Sequence, residues 1–151
     1  MTQMSGKKKD TSDTVAELRA KEEKEPIAFF LKIRLLELTT GYAKVAMSLT
    51  PEHQNFIGLI SGSMVMAIAD QAFAYASNSV AYPSAASQLN IHFVAGASID
   101  DKLTAECRVV RSGRRVGISE ITVTNQAGKL IAKATGTTIP IAEVGLGGKE
   151  S

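Results

Sequence analysis

The sequence predicts an α+β fold, in which an antiparallel sheet of about five to six strands wraps around one central, buried helix. Residues 63–77 predict the helix because they are rich in Ala and Met, which favour helices, and carry few strongly polar side chains. A helix that is apolar on nearly all sides belongs inside a protein. From about Ser84 the apolar residues recur at every second position, with turn sequences between the segments, and this pattern indicates strands joined by hairpins.

The individual strands are predicted from alternating hydropathy. One alternating segment, residues 42–49, precedes the helix and has the pattern of a half-buried strand. Ser112 with Gly113, and residues 125–128, have the composition of hairpin turns and separate later strands. We therefore expect a meander after the helix, with strands within residues 88–93, 103–109, 116–124 and 130–139.

The chain is expected to form one domain with two loose ends. Residues 26–140 form the predicted domain, and residues 141–151 a flexible tail. Residues 1–25 form a flexible, charged arm, in which Thr14 and Glu17 fit a capping box that would begin a short helix. Residues 27–33 predict one or two helical turns on the core. Little of the chain is left to cover the outer side of the buried helix, so a second copy of the chain is the simplest cover.

Composition and charge exclude several classes of protein. A length of 151 residues fits one domain, and a net charge of +2 is too small for a nucleic-acid-binding footprint. No apolar run reaches the ~20 residues of a membrane helix, and no segment resembles a signal peptide. The single Cys107 excludes an internal disulfide, and two His with one Cys are too few for a usual zinc site. We therefore expect a cytoplasmic protein without a metal cofactor that binds neither nucleic acid nor membrane.

Asp70 is the first candidate for chemistry, because it lies about two turns into the predicted helix. A buried carboxylate is costly unless it is paired, and no Lys or Arg lies within four residues along the helix. Desolvation should raise the pKa of this carboxyl group, which suits a general base near neutral pH. The alternative is a structural Asp that caps a neighbouring backbone group or faces solvent beside Gln71.

The start of the same helix is the second candidate. Ser61, Gly62 and Ser63 lie there, and the unpaired N–H groups at a helix N-terminus can stabilise negative charge on a carbonyl oxygen. Gly62 would let a substrate approach the backbone closely. Just upstream, Asn55 could donate a hydrogen bond to a carbonyl group or hold a water molecule, and His53 is a further polar candidate. The alternative is ordinary capping by Ser, with structural His and Asn residues in a turn.

Arginine residues cluster around the turn at Ser112 and Gly113. They predict either a solvated hairpin tip or an anion site, for example for the phosphate groups of a nucleotide-bearing substrate. The cluster comprises Arg108, Arg111, Arg114 and Arg115. The neighbouring Cys107 lies in the middle of an alternating segment, so its thiol is predicted to lie in the core.

These residues together resemble a known family, the hotdog-fold acyl-CoA thioesterases of the phenylacetate-pathway (PaaI-like) type. The family pattern is roughly H-x-N-x-x-G-x-x-H-G-G, followed by an A-D pair on the central helix. Residues 88–93 are similar to the strand after the helix, residues 111–114 to a glycine-bearing hairpin and residues 127–137 to the closing strand. The positions that carry the motif are His53, Asn55, Gly58, Ser61, Gly62, Ala69 and Asp70.

The resemblance implies a hotdog-fold acyl-CoA thioesterase without a metal or redox cofactor. Asp70 would act as general base on water or as nucleophile, the N–H of Gly62 would polarise the thioester carbonyl, and Asn55 would help to hold the carbonyl group or the water. In the family these groups come from two subunits, so the site would exist only in a homodimer, and dimers often pair into homotetramers. Arg114 and Arg115 are candidates for contacts with the CoA phosphates.

The sequence departs from the family pattern at three positions. Ser61 stands where the family usually has His, Ser63 replaces the second Gly, and Ala86 lies where a Ser or Thr often orients the water, with Ser87 nearby. Ser61 could still donate one hydrogen bond, and the loss of one stabilising donor typically lowers the rate by about 10²–10³-fold. The expected substrate is an aromatic or medium-chain acyl-CoA, hydrolysed to the free acid and CoA.

Two alternatives share the same fold. A non-catalytic acyl-CoA-binding or sensing protein is favoured by the departures at Ser61 and Ala86. A hydratase or dehydratase is disfavoured, because those enzymes generally pair a His with a carboxylate, and no His accompanies Asp70 on the predicted helix.

Overall fold

A computed structural model of the chain describes residues 10–141. The predictions for residues 1–9 of the charged arm and residues 142–151 of the tail therefore lie outside the described part. No helix within residues 10–141 is long and apolar enough to cross a membrane.

Six strands within this range form a single antiparallel sheet, so the predicted α+β class is confirmed. The strands are β1 (Arg34–Thr39), β2 (Tyr42–Ser48), β3 (Ser84–Phe93), β4 (Lys102–Ser112), β5 (Gly117–Thr124) and β6 (Leu130–Pro140). Their order across the sheet is β1-β2-β4-β5-β6-β3, and every neighbouring pair is antiparallel.

Two features of this sheet differ from the sequence predictions. β1 is missing from the predicted strands, because a register shift between Leu35 and Glu37 interrupts the alternation of buried and exposed residues. The predicted meander is wrong for β3, which pairs with β6 and not with β4, the next strand along the chain. Hydropathy identifies a strand but not its partner, and the observed pairing leaves β3 at the edge of the sheet.

The central helix, α3 (Gly62–Val80), lies on the inner face of the sheet and is longer than predicted at both ends. It packs against β2, β4 and β5, and it buries Ile68, Ala72 and Phe73 in the core. The close approach of α3 to β6 depends on Gly136, because a Cβ atom at this position would lie 2.5 Å from Cζ of Phe73. A larger residue there would force the closely packed helix and sheet apart.

The N-terminal helix covers part of the outer side of α3. This helix, α1 (Thr11–Glu22), begins three residues before the predicted start at Thr14, because the side chain of Asp10 caps it by accepting a hydrogen bond from the N–H of Ser12. Leu18 belongs to the core, and α1 packs against α3. The chain therefore covers this part of α3 itself, and a second copy is not needed there.

A second short helix, α2 (Pro26–Leu31), occupies most of the segment for which helical turns are predicted. Lys32 ends it in the left-handed conformation, with a φ of 55°. Ala28 is buried against the core, whereas Phe29 and Phe30 leave 87% and 78% of their surface exposed. The helix thus packs with one side and presents two aromatic rings to solvent with the other.

Candidate active site

Asp70 lies on α3, about two turns after the start of the helix. It is exposed in the single chain, although its neighbours Ala69 and Gln71 are buried, so the expected buried carboxyl group is wrong for the single chain. The surrounding protein still desolvates the group, and this desolvation, together with the negative charge of Glu25, raises the pKa of Asp70 above its usual value. The result is an accessible carboxyl group of increased basicity, which suits a general base.

The start of α3 offers a free hydrogen-bond donor. Ser61 is the N-cap, and its Oγ accepts a hydrogen bond from the N–H of Ser63 at 3.3 Å and lies 2.6 Å from the Oγ of Ser63. Within residues 10–141, no group accepts a hydrogen bond from the N–H of Gly62, the first residue of the helix. This N–H lies at the positive end of a helix of 19 residues and can stabilise negative charge on a carbonyl oxygen.

Asn55 organises the loop that leads into α3. Its Oδ1 accepts hydrogen bonds from the N–H groups of Ile57 at 3.1 Å and Leu59 at 3.0 Å. Among the residues that the structure describes, none accepts a hydrogen bond from Nδ2 of Asn55. The side chain therefore fixes the loop with its oxygen, and its amide nitrogen has no acceptor within residues 10–141.

His53 makes two hydrogen bonds within the same loop. Its carbonyl oxygen accepts a hydrogen bond from the N–H of Ser61 at 2.9 Å, and its Nδ1 accepts one from the N–H of Thr50 at 3.1 Å. Because Nδ1 is an acceptor here, the neutral ring carries its proton on Nε2. His53 thus has a structural role, and Nε2 is the ring atom left for the predicted contact with substrate.

Phe93, the last residue of β3, places its ring beside the start of α3. A Cβ atom on Gly62 would lie 3.2 Å from Cζ and 3.3 Å from Cε1 of the Phe93 ring. Phe93 is 54% exposed, so its ring lies beside Gly62 at the surface of the chain. Phe93 has no local sequence signal for this contact, because it is one of several apolar residues on an alternating strand.

Gly62 and Asp70 are too far apart along α3 to act on the same bond. Eight residue steps separate positions 62 and 70, which at the helical rise corresponds to about 12 Å. A carbonyl group bound at the N–H of Gly62 is therefore beyond the reach of the Asp70 carboxyl group of the same chain.

Three polar side chains form a closed group beside Asp70, where the turn between α1 and α2 meets α3. Oε2 of Glu25 accepts hydrogen bonds from Nε2 of Gln71 at 2.8 Å and from the hydroxyl of Tyr75, and the same Nε2 also donates to the Tyr75 hydroxyl oxygen at 2.8 Å. Gln71 and Tyr75 are each 6% exposed. Sequence reasoning missed this group; the one available signal is two polar side chains four residues apart on an apolar helix.

The predicted arginine cluster is smaller than expected. Arg111, Arg114 and Arg115 are exposed and line an open recess of about 340 Å³ at the β4–β5 hairpin. Arg108 does not join them, because its guanidinium group lies over the ring of Tyr42, 4.5 Å from the ring centroid. Its position on β4 directs it to the outer face of the sheet, where Tyr42 of β2 is its neighbour.

Ser87 lies on β3, at the register shift between Ala86 and Gln88. Its Oγ donates a hydrogen bond to the carbonyl oxygen of Thr137 at 3.2 Å, so the hydroxyl is held at the surface of the edge strand. Its predicted contact with substrate stays a prediction.

Cys107 is fully buried, and burial raises the pKa of its thiol to about 12, which confirms the predicted core thiol. No group of three or more His, Cys, Asp or Glu side chains within residues 10–141 is arranged to hold a metal ion.

Comparison with known proteins identifies the family. Residues 57–132 match the model of the thioesterase superfamily. The chain is 38% identical to a candidate esterase of Archaeoglobus fulgidus. The 113 matched residues cover 75% of this chain and 73% of that protein. It is 33% identical to the acyl-coenzyme A thioesterase PaaI of Escherichia coli K12, and the 110 matched residues cover 73% of this chain and 79% of that protein.

Comparison of the fold with solved structures identifies the same family. The solved structure of the E. coli PaaI protein from the phenylacetic acid degradation operon superposes with a TM-score of 0.82 at 30% identity, over 88% of this chain and 97% of that chain. The chain therefore belongs to the thioesterase superfamily, and the predicted hotdog fold is confirmed. It is a thioester hydrolase, as the resemblance implies.

Proposed function

We propose that the chain is an acyl-CoA thioesterase that hydrolyses an aromatic or medium-chain acyl-CoA to the free acid and CoA. The observation that carries this proposal is the combination on one helix of a free N–H group at Gly62 and an accessible carboxyl group of raised pKa at Asp70. The first can polarise a carbonyl group, and the second can take a proton from water. The E. coli relative is named an acyl-coenzyme A thioesterase, which supports a CoA ester as the substrate.

The site would be completed in a homodimer. Because about 12 Å of helix separates the two groups, Asp70 of one subunit would act on a thioester whose carbonyl is bound by Gly62 and Asn55 of the other. The edge strand β3, ten residues long, supports this association, since an open strand edge readily pairs with another chain. The exposed rings of Phe93 and Phe56 near the start of α3 would be covered in such a dimer.

The proposal extends to a homotetramer in the cytoplasm. The exposed rings of Phe29 and Phe30 on α2 leave apolar surface for a second interface, which supports the pairing of dimers that the family resemblance implies. A reducing, cytoplasmic location fits the single cysteine, Cys107.

In the proposed mechanism Asp70 acts on water as a general base. It takes a proton as the water oxygen attacks the thioester carbon, and the N–H of Gly62 and Nδ2 of Asn55 stabilise the negative charge on the carbonyl oxygen. The C–S bond then breaks, and the proton passes from Asp70 to the departing CoA thiolate. In the alternative course Asp70 attacks the thioester directly, and water hydrolyses the resulting anhydride. Ser61 would donate one hydrogen bond near the carbonyl group.

The remaining polar candidates would bind the CoA part of the substrate. Arg114 and Arg115 are proposed to contact its phosphate groups, because guanidinium groups pair well with phosphate oxygens and the recess beside them is open. Nε2 of His53 and the hydroxyl of Ser87 are proposed as further contacts. The ring of Phe93 would face the acyl group, which supports an apolar acyl chain.

Thiol release from a panel of aromatic, short-, medium- and long-chain acyl-CoA esters tests this proposal. Asp70→Asn should abolish release while light scattering reports the same oligomer as for the unaltered protein. The matched control is Asp100→Asn, which changes an exposed carboxyl group outside the site. Unchanged release by Asp70→Asn overturns the mechanism, and esters that raise the melting temperature without any thiol release would indicate a non-catalytic acyl-CoA-binding protein.

A further inference from the structure

The hydrogen-bonded group of Glu25, Gln71 and Tyr75 ties the N-terminal segment to the central helix. Glu25 occupies the N-cap position of α2, where a side chain usually accepts a hydrogen bond from its own helix, but it makes no such bond. Its Oε2 accepts instead from Gln71 and Tyr75 on α3, across 46 and 50 residues of sequence. The side chain therefore serves a contact between segments and not the capping of α2.

The same contact holds a second carboxyl group against the part of α3 that carries Asp70. Gln71 follows Asp70 directly in α3, and the pKa of Asp70 is raised first by desolvation and then by the negative charge of Glu25. A like charge beside a carboxyl group is unfavourable for the folded chain. Costly arrangements of titratable groups are typical of functional sites, where they adjust the basicity of a reacting group.

We propose that Glu25 is a positioning residue of the thioesterase site: through its hydrogen bonds to Gln71 and Tyr75 it fixes the α1–α2 turn, with its negative charge, against α3 beside Asp70. This inference rests on the proposed function, because it assumes that Asp70 is the base. It assigns a role in the reaction to the segment before the predicted domain boundary at Pro26. This segment lies outside residues 57–132, which match the model of the thioesterase superfamily.

Other titratable groups face the same region and must be kept unchanged in a test. Tyr75 belongs to α3 and Glu22 to α1, and the charge of Glu22 acts on the Tyr75 hydroxyl. In the proposed dimer the loop of the second subunit would add Glu52 and His53. A substitution confined to Glu25 leaves all of these groups in place.

The test compares three variants by the pH profiles of kcat and kcat/KM. Glu25→Gln removes the charge but keeps an amide oxygen that can accept both hydrogen bonds, so the melting temperature should stay near that of the unaltered protein. The acid limb of the pH profile of Glu25→Gln should move to lower pH, because the loss of a like charge lowers the pKa of Asp70. The rate on the plateau of this profile should fall, because Asp70 becomes a weaker base. Glu25→Ala also removes both hydrogen bonds, and kcat should fall by about 10–100-fold with KM changed far less. Glu23→Gln removes the same charge from an exposed neighbour and should change neither profile.

An unmoved acid limb and plateau in Glu25→Gln would overturn the inference, even if Glu25→Ala lowers the melting temperature, because Glu25 would then be merely structural. The failure of the proposed function is distinguishable, since it appears as a lack of Asp70-dependent thiol release in the unaltered protein. An NMR titration of the Asp70 carboxyl carbon needs no activity. It should give a lower midpoint in Glu25→Gln than in the unaltered protein, and equal midpoints would contradict the inference.

Discussion

The phenyl ring of Phe93 lies against Gly62, so that a Cβ atom on Gly62 would come within 3.2 Å of the ring Cζ. This contact joins the end of the edge strand to the start of the central helix. Gly62 has no positive φ, so its backbone conformation is open to any residue, and it is the neighbouring ring that leaves little space for a side chain. The donor proposed to bind the thioester carbonyl is therefore held between an aromatic ring and the loop of Asn55.

Gly62→Ala should lower kcat/KM by about 10–100-fold with little change in melting temperature. The added methyl group must displace either the Phe93 ring or the bound thioester, and one misplaced stabilising donor costs a rate of this order. Thiol release measures the effect. The double variant Gly62→Ala with Phe93→Ala should recover part of the lost rate, and full activity in the single variant would show that the space beside Gly62 is not used.

Gly136→Ala should destabilise the fold by about 1–3 kcal/mol, because the added Cβ would lie 2.5 Å from Cζ of the buried Phe73. Gly96→Ala is the matched control, since a Cβ at position 96 meets nothing within 4 Å and its φ is not positive. Its stability should stay within about 1 kcal/mol of the unaltered protein. Urea unfolding of the three proteins gives the comparison, and equal midpoints for both variants would contradict the close packing of α3 on β6.

Asp70→Asn should raise the melting temperature at neutral pH by about 1–3 °C, a small change because the carboxyl group is accessible and its charge is screened. The pKa of Asp70 is raised in the folded chain, so the carboxylate destabilises the fold at pH values above this folded pKa. Below the pKa of the unfolded chain the group is protonated in both states and the penalty is absent. The advantage of Asn should therefore shrink as pH falls, and a pH-independent difference would contradict the raised pKa.

Arg114→Ala and Arg115→Ala should each raise KM for acyl-CoA by about 2–5-fold and leave kcat unchanged, as expected for exposed contacts with phosphate groups. The effect should diminish at high ionic strength. Arg108→Ala removes the same charge from the outer face of the sheet, where Arg108 stacks on Tyr42, and should leave KM unaltered. Steady-state kinetics at two salt concentrations distinguish these outcomes, and equal effects of all three variants would argue for a general influence of net charge.

The sequence predicts those parts of the fold that depend on local patterns. Alternating hydropathy locates β2 and the strands after the helix, and the apolar run with Asp70 locates α3 and the place of Asp70 on it. The N-cap Ser61 and the free N–H of Gly62 also follow from local sequence, because helix ends have fixed hydrogen-bonding needs.

Contacts between distant segments are not predictable in the same way. The pairing of β3 with β6, the packing of Phe93 on Gly62 and the bond from Glu25 to Tyr75 each join residues whose neighbourhood is set by the whole fold. The exposure of Asp70 has the same origin, since the residues around it on α3 are apolar and the packing of the whole chain decides which side chains are covered. These are the features on which the proposed dimeric site depends.

Mixing of two impaired variants tests the shared site most directly. Asp70→Asn is expected to be inactive as a homodimer, and Gly62→Ala to keep at most about a tenth of the activity. If Asp70 of one subunit acts with Gly62 of the other, random association of an equimolar refolded mixture gives one intact site in each mixed dimer, and activity should return to about a quarter of that of the unaltered protein. Activity no greater than the sum of the two separate variants would contradict a site built from two subunits.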